Sequence, residues 1–290
     1  MLRLILSFLM AMMLVAAPAH ANDRRGGGRM LLTDGVTAIE GSAGGGIATW
    51  ATIAGAETRN GIGGTVHATA VLAPDFTLRS QGIATGLFDR VELSYARQSL
   101  DTDKAGTALG LGRGYRIAQD VFGAKVRLIG NLVYDQDTAL PQIAVGVQRK
   151  RANRSALVAA LGARSDTGTD YYVAATKLVL KRGVLLNATL RMTKANQGGL
   201  LGFGGDKRPG YRAQIETSAG VMLSPRLVIG AEYRTKPDNL RFAKEQDWGD
   251  MFAAYAVSRN ITATVAYADL GSIATFKKQR SLFLSLRGRF

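Results

Sequence analysis

The sequence predicts an all-β protein, a transmembrane antiparallel β-barrel of about 14 strands. Three observations lead to this fold class. Segments in which apolar and polar residues alternate recur from about Val36 to the end of the chain. From about residue 86 onward, short and long connections between these segments alternate if the moderate stretch from Asn131 to Pro141 counts as a turn. The last ten residues, SLFLSLRGRF, form an alternating strand that ends on Phe290.

The alternating segments have the length and pattern of strands that cross a membrane. In GVLLNATLRMT, Leu186 and Leu190 fall on one face, and Asn187 and Arg191 fall on the other. Successive side chains of a strand point to opposite sides, so a period of two gives one apolar and one polar face. Each segment has roughly the 9–11 residues that a tilted membrane strand needs. A series of such segments is typical of a barrel wall.

The connections distinguish a membrane barrel from a soluble secreted β-sandwich, the alternative fold. Short connections lie at 88–90, 181–183, 224–226 and 258–260, and long ones lie at 101–120, 150–169, 196–210, 237–247 and 271–280. Outer-membrane barrels have short periplasmic turns and long outer loops, whereas a sandwich has no reason to sort its loops in this way. The same order places Phe290 on the periplasmic side.

Two segments leave the strand count open between about 12 and 16. Val36 to Ala54, with its GSAGGG stretch, is expected to form the first hairpin of a barrel of about 14 strands; if it folds inward as a plug, about 12 remain. Ser155 to Arg164 lacks clean alternation and is rich in the helix formers Ala and Leu. We therefore expect an outer loop there, with a short helix that covers or enters the pore; an ordinary strand is the alternative.

The N-terminus has the features of a secretory signal peptide. Arg3 precedes an apolar run from Leu4 to Ala17, and Ala19-His20-Ala21 forms a small-residue cleavage site. We expect cleavage near Ala21, a flexible lead-in over 22–35 and the barrel over 36–290. No later stretch has the ~20 apolar residues of a transmembrane helix.

Composition limits the chemistry of the mature chain. The sequence has no cysteine and a formal net charge of +15 at pH 7. A basic balance of charge favours acidic partners; export argues against nucleic acid and leaves anionic lipids and small anions.

Once His20 leaves with the signal, His67 is the single remaining histidine and cannot build a usual zinc site. A catalytic His67 beside a serine on the barrel rim is the alternative to an ordinary lumenal histidine. We expect no enzyme, no metal and no cofactor.

The C-terminal strand resembles the assembly signal of Gram-negative outer-membrane barrels, which ends on Phe or Trp. Leu282, Leu284, Leu286 and Phe290 occupy the matching positions. Further in, LFDRVELSYARQ, GTDYYVAATK, LLGFGGD, GAEYRTKPDNL and AYADLGSIAT resemble a proteobacterial family of outer-membrane proteins that is defined as a domain of unknown function. The resemblance covers most of the mature chain. It implies an outer-membrane location and the barrel-assembly machinery as a partner, and it implies no activity.

Charged residues on the polar faces are the candidate functional residues. Each of these side chains would cost several kcal/mol if it faced lipid. The following residues are therefore predicted to line the lumen: Lys125, Arg127, Arg191, Arg212, Glu216, Glu232 and Arg234. Excess cations in a hydrated pore favour anions, which predicts a narrow porin-like passage for small anionic or polar solutes. The alternatives are a closed structural or lipid-interacting barrel and, with less support, a lipid-modifying enzyme.

Basic residues of the long loops offer a second explanation for the positive charge. On this alternative, which needs no pore, the following loop residues bind phosphates of outer-membrane lipid and lipopolysaccharide: Lys207, Arg208, Lys277, Lys278 and Arg280. The sequence names no solute and leaves the oligomeric state open.

Overall fold

The computed structural model describes residues 29–290, so the predicted signal peptide and residues 22–28 of the lead-in lie outside the described residues. Two short strands, β1 (Val36–Thr37) and β2 (Ala43–Gly44), pair with each other. Twelve antiparallel strands then close into a barrel. They are β3 (Ile62–Leu72), β4 (Thr77–Leu87), β5 (Val91–Asp101), β6 (Arg116–Ile129), β7 (Gln142–Ala152), β8 (Thr167–Val179), β9 (Val184–Thr193), β10 (Arg212–Ser224), β11 (Leu227–Arg234), β12 (Trp248–Ala256), β13 (Ile261–Asp269) and β14 (Arg280–Arg289).

Each barrel strand pairs with its neighbour in the chain, and β14 returns to pair with β3. The closing seam runs from Leu282 opposite Leu72 to Arg289 opposite Thr65. Closure leaves no unpaired strand edge, which lipid requires because it offers no water to backbone groups. Within residues 29–290, no helix is both long enough and apolar enough to cross a membrane.

The predicted alternation sorts side chains between lipid and lumen. In β9, Leu186 and Leu190 are about half exposed on the outer face, whereas Asn187 and Arg191 are buried on the inner face. The outer face is therefore apolar where it meets acyl chains, and the polar groups find partners inside. This arrangement confirms the transmembrane barrel.

The two ends of the barrel differ, as predicted. The end that holds Phe290 has mostly short connections, at 88–90, 180–183, 225–226 and 257–260, with 130–141 as a longer exception. The other end has long loops at 102–115, 153–166, 194–211, 235–247 and 270–279, with 73–76 as a short exception. Because short turns are periplasmic in outer-membrane barrels, the Phe290 end is the periplasmic end.

Residues 29–61 do not join the wall but form a plug inside the lumen. Both ends of the plug lie at the periplasmic end, where the Arg29 N–H donates to the Ala56 carbonyl and the Ala56 N–H donates to the Phe290 carbonyl. Every residue from 32 to 55 is buried. The prediction that Val36 to Ala54 forms a hairpin of a 14-stranded barrel is therefore wrong, and the alternative of 12 strands with an inward plug is confirmed.

Glycines explain why the plug does not extend into a hairpin. Gly35 and Gly41 adopt φ angles of 79° and 92°, in the left-handed region, where glycine turns the chain without steric cost. These turns leave only two residues for β1 and two for β2. A membrane strand needs about 9–11 extended residues, which this segment does not supply.

The outer loops cover the opposite end of the lumen. They contain two short helices, α1 (Asp103–Ala108) and α2 (Ser155–Ala160). Val158 of α2 belongs to one buried apolar cluster with Leu200 of the β9–β10 loop. The expectation of a short helix in an outer loop at 155–164 is thus confirmed.

Candidate functional site

Three wall cations surround the carboxylate of a plug residue, Glu40. The Lys150 ammonium lies 2.5 Å from Oε1 of Glu40, and the Arg234 guanidinium lies 2.9 Å from the same oxygen. The Arg191 guanidinium lies 3.5 Å from Oε2. All four side chains are buried, so their attraction is weakly screened by water. We name Lys150, Arg191 and Arg234 the carboxylate clamp.

Alternation and register position the clamp. Its three cations occupy lumen-facing positions near the outer ends of β7, β9 and β11. Two wall carboxylates share them: Asp170 lies 2.8 Å from Lys150, and Glu216 lies 2.5 Å from Arg191. With Glu40, the clamp has as many carboxylates as cations. Without Glu40, one positive charge of the wall has no counterion.

A second contact joins the wall pair Glu92 and Lys125 to the plug backbone. The Lys125 Nζ lies 3.1 Å from Glu92 Oε2. The same ammonium donates to three plug carbonyls, those of Ala43, Trp50 and Thr52, and Glu92 accepts from the Ala43 N–H. Buried backbone groups outside regular structure need such partners. The wall pair therefore supplies hydrogen bonds that a neighbouring strand would otherwise give.

A third contact holds the glycine turn of the plug against Glu232. Its Oε2 accepts from the Gly46 and Ile47 N–H groups at 2.6 and 2.8 Å. A Cβ atom at Gly45 would lie 1.7 Å from Glu232 Oε1, so the close approach requires glycine at this position. Asp250 lies opposite Glu232 on β12, and neither of its oxygens has a hydrogen-bond partner in the described part of the chain.

Arginines hold the plug at the periplasmic end. Asp34 lies 2.9 Å from Arg287 and 3.2 Å from Arg289, both on the lumenal face of β14. Close by, Arg127 of β6 lies 2.9 Å from Asp89 in the turn between β4 and β5. The last barrel strand is thus tied to the start of the plug.

Glu57 stands where the chain leaves the plug toward β3. Its two oxygens have no hydrogen-bond partner among residues 29–290. Burial raises the pKa of Glu57 to about 8; the carboxylates of Asp34 and Asp89 add to the shift, and Arg29 opposes it. Glu57 and Arg59 line a cavity of about 780 Å³ at the periplasmic end. A buried carboxyl group with a raised pKa therefore lies at the base of the plug.

The spaces beside the clamp and beneath the outer loops are small. One cavity, lined by Arg191 and Arg234, has a volume of about 10 Å³. Another, lined by Leu200 and Trp248, has a volume of about 20 Å³. Each is at most large enough for about one water molecule. With the plug in place, these spaces do not admit a solute.

Six of the seven predicted pore-lining residues are buried in the barrel interior: Lys125, Arg127, Arg191, Glu216, Glu232 and Arg234. The seventh, Arg212, is exposed at the outer end of β10. The prediction missed Lys150 because it set the start of a loop at that residue, whereas β7 continues to Ala152. It missed Glu40 because the plug was expected to be a hairpin. A role of these residues in passage stays a prediction.

The predicted assembly-signal residues lie on the outer side of the last strand and at its end. Leu282 and Phe290 are about half exposed, and Leu284 and Leu286 are partly exposed on the same face of β14. Their recognition by the assembly machinery stays a prediction.

His67 lies on the lumenal face of β3 and is buried. Its Nε2 lies 3.3 Å from the Ser80 hydroxyl, but that hydroxyl donates to the Ile39 carbonyl of the plug. Within the described residues, His67 Nδ1 has no partner, so no carboxylate orients the ring as in a catalytic triad. The geometry of His67 is therefore not that of a catalytic triad.

The plug balances the charge of the wall. The barrel strands carry seven buried cations and five buried carboxylates, an excess of two positive charges. Asp34 and Glu40 of the plug are both paired with wall cations and offset this excess. Asp89 in the turn between β4 and β5, which pairs with Arg127, reduces the excess of the wall to one positive charge. The lumen is therefore slightly cationic without the plug and close to neutral with it.

A closed antiparallel barrel with an apolar outer face and a charged lumen defines an outer-membrane β-barrel protein. The chain belongs to the family described as Protein of unknown function (DUF3034), which matches residues 33–287. No curated protein matches the sequence.

Solved structures with a similar fold are outer-membrane barrels. The KdgM porin has 12% sequence identity and a TM-score of 0.50, covering 78% of this chain and 99% of its own. An outer-membrane channel from Pseudomonas putida F1 has 12% identity and a TM-score of 0.49, covering 79% and 95%. Outer-membrane phospholipase A from Escherichia coli has 9% identity and a TM-score of 0.43, covering 78% and 91%. At these identities, the likeness to the KdgM porin concerns the fold alone.

Proposed function

We propose that this barrel is an outer-membrane passage for small anions that carry a carboxylate, closed at rest by its own plug. The observation that carries the proposal is the carboxylate clamp, in which Lys150, Arg191 and Arg234 hold Glu40. The clamp binds the carboxylate group of Glu40 through charge and hydrogen bonds. A solute carboxylate can take the same place once the plug moves.

The chemistry of the wall supports a lumen that water enters. Buried ion pairs add little stability compared with well-packed apolar side chains, so a permanently dry interior has little use for them. A wall with seven buried cations stays compatible with water when the plug leaves, and its surplus of cations favours anions. Water can also replace the hydrogen bonds and ion pairs that attach the plug.

A barrel of similar fold accommodates a related chemical group. The KdgM porin has been solved in complex with disordered oligogalacturonate, at a TM-score of 0.50 and 11% identity to this chain. The likeness concerns the fold, so it supports a barrel of this size as a passage. Support for a carboxylate solute comes from the clamp.

A closed structural or lipid-interacting barrel is the second candidate. The cavities of about 10 and 20 Å³ beside the clamp and beneath the loops favour it. On this alternative, the buried ion pairs hold the plug permanently and the protein transports nothing.

Single-channel conductance in a planar bilayer tests the proposal. The full-length protein is compared with Glu40→Gln, which removes the charge bound by the clamp, and with Ser42→Ala. Ser42 is a matched control, because within residues 29–290 its hydroxyl has no hydrogen-bond partner. We expect Glu40→Gln to open more often than wild type, with a reversal potential that favours anions, and Ser42→Ala to behave as wild type. A folded but silent Glu40→Gln barrel would favour the closed barrel instead, and a preference for cations would contradict a passage for anions.

A further inference from the structure

Four arginines form a belt on the outer face of the barrel near its outer end. Arg79 of β4, Arg97 of β5, and Arg149 and Arg151 of β7 occupy positions that alternate with buried, lumen-facing residues. They therefore point away from the lumen and toward the surroundings of the barrel. We name these four residues the arginine belt.

Strand register makes the belt continuous. Arg97 lies opposite Asp120 of β6, and Asp120 lies opposite Arg151. Arg79 lies on the neighbouring strand opposite Ser99, two residues further toward the outer loops than Arg97. Three interstrand steps of about 4.8 Å give the belt a width of roughly 14 Å.

Aromatic residues place the belt at the membrane boundary. Tyr95 precedes Arg97 on the same face of β5 and packs against Phe122, with 4.9 Å between the ring centroids. Arg149 lies opposite Phe122. Girdles of aromatic residues mark the interfaces of membrane barrels. The guanidinium groups therefore lie at the level of lipid headgroups rather than acyl chains.

The belt carries more charge than its own contacts neutralise. The Asp120 carboxylate accepts from Arg97 at 2.9 and 3.1 Å, and Arg149 donates to the Thr169 hydroxyl at 3.1 Å. In the part of the chain that the structure describes, Asp120 is the one carboxylate paired with a belt arginine. Three of the four positive charges are thus left for a partner.

On the opposite side of the barrel, the outward-facing residues at the same end differ from the belt in charge. Outward residues there include Tyr233 of β11 and Tyr267 of β13, both about half exposed. Arg280 of β14 lies 3.4 Å from Asp269, so its charge is already paired. The surplus of outward positive charge is on the side of β4 to β7.

We propose that the arginine belt binds phosphate groups of a phosphorylated glycolipid of the outer leaflet, lipopolysaccharide. Guanidinium groups bind phosphate through paired, charge-assisted hydrogen bonds. Their depth presents them to lipid phosphates instead of to solutes in the lumen. The belt lies outside the wall and needs no movement of the plug, so this inference stands apart from the proposed passage. It also differs from the predicted loop site, in which Lys207 is already paired with Asp238.

The test compares the refolded full-length protein with Arg97→Gln/Arg149→Gln/Arg151→Gln. A matched control removes three exposed cations from the periplasmic turns, as Lys181→Gln/Arg182→Gln/Arg226→Gln. Labelled lipopolysaccharide is titrated into each protein in zwitterionic detergent. We expect the Kd of the belt variant to rise at least about tenfold and that of the control to stay at the wild-type value. Equal weakening in both variants would overturn the proposal.

The phosphate source is tested with dephosphorylated lipopolysaccharide and with inorganic phosphate. Wild type should bind the dephosphorylated glycolipid as weakly as the belt variant binds the phosphorylated one. Undiminished binding of the dephosphorylated form, or full displacement by inorganic phosphate at equal concentration, contradicts a glycolipid site. If loss of Arg97 frees Asp120 and prevents folding, Arg149→Gln/Arg151→Gln gives the same comparison.

Discussion

The Lys150 ammonium and the Glu40 carboxylate lie 2.5 Å apart, the first in the barrel wall and the second in the plug. Both side chains are buried, and Arg234 contacts the same carboxylate oxygen at 2.9 Å. Glu40 therefore fills a site whose other members all belong to the wall. A free carboxylate of similar size should be able to occupy the site when the Glu40 side chain is removed.

We expect Glu40→Ala to lower the thermal unfolding midpoint of the refolded barrel, because breaking a buried ion pair costs about 3–5 kcal/mol. Acetate should raise the midpoint of this variant in a concentration-dependent way, since a ligand of the folded state stabilises it. Acetamide has the same shape without the charge and should have no effect. Wild type is the control, because Glu40 already fills its clamp; an equal response of wild type to acetate would contradict the prediction.

The Glu92–Lys125 pair should behave as one unit. Lys125→Met leaves a buried carboxylate without its cation, and Glu92→Gln leaves the cation without its carboxylate. Each single change is expected to cost about 3–5 kcal/mol of unfolding free energy. The double variant should cost clearly less than the sum of the two, because neither charge remains. Denaturant unfolding in detergent measures the unfolding free energies of wild type, the two single variants and the double variant. Additive losses would show that the pair is not coupled.

The close approach of Gly45 to Glu232 predicts a steric effect on the plug. In Gly45→Ala, the new methyl group overlaps the Glu232 carboxylate, and overpacking of this kind costs about 1–3 kcal/mol. Gly210→Ala is the control, because a Cβ atom there meets nothing within 4 Å. We expect Gly45→Ala to open more often in the planar bilayer than Gly210→Ala. Identical traces would mean that the turn does not hold the plug.

Glu57 predicts a dependence of stability on pH. The pKa of Glu57 is about 8 in the folded protein, against an ordinary value of 4.5, so the folded state binds more protons between these values. Its contribution to stability is complete below pH 4.5 and is lost as the pH rises through about 8. The unfolding midpoint of wild type should fall over this range, and that of Glu57→Gln should fall less. If the unfolding midpoints of wild type and Glu57→Gln fall in parallel as the pH rises, the pH dependence belongs to other groups.

A disulfide can test whether the plug is the gate. The natural chain has no cysteine, and a Cβ atom at Gly41 would lie 2.8 Å from the Ala96 Cβ, so a shift of about 1 Å gives disulfide geometry. In a Glu40→Gln background, Gly41→Cys/Ala96→Cys should be silent when oxidised and conduct after reduction. The single variant Gly41→Cys, under the same oxidant, is the control, because it carries the same strain of a side chain at a φ angle of 92°. Conductance through the oxidised double variant would place the pathway elsewhere.

The wall of the barrel could be predicted from the sequence because lipid and lumen impose opposite requirements on neighbouring residues. Leu190 and Arg191 differ in polarity and face opposite sides, and β10 and β14 repeat this contrast. Strand β4 departs from it, with Arg79 outside and Leu78 inside. The plug could not be assigned in the same way. The Gly, Ala and Ile residues of the 36–54 segment suit lipid, a filled lumen or a turn equally well, so local composition does not decide among them.

The clamp could not be predicted from the sequence for a related reason. Arg191 and Arg234 were identified as lumenal from alternation, but the partner that brings them together is Glu40, which is far away in the chain. Arg212 shows the opposite error: alternation gives its face correctly, but Arg212 lies at the outer end of β10, beyond the part that pairs with β11, which begins at Glu216.

The ion pairs of Asp34 with Arg287 and Arg289 join residues more than 250 positions apart, the Asp34–Arg287 hydrogen bond spanning 253. The plug precedes the wall in the chain, yet Asp34 finds its two partners only when β14 is in place beside β3. Until β14 reaches this position, Asp34 lacks its cations, and Arg287 and Arg289 lack this counterion and must stay hydrated. Fixing the start of the plug is therefore a late step of assembly, and a barrel whose last strand fails to insert leaves that end of the plug undocked.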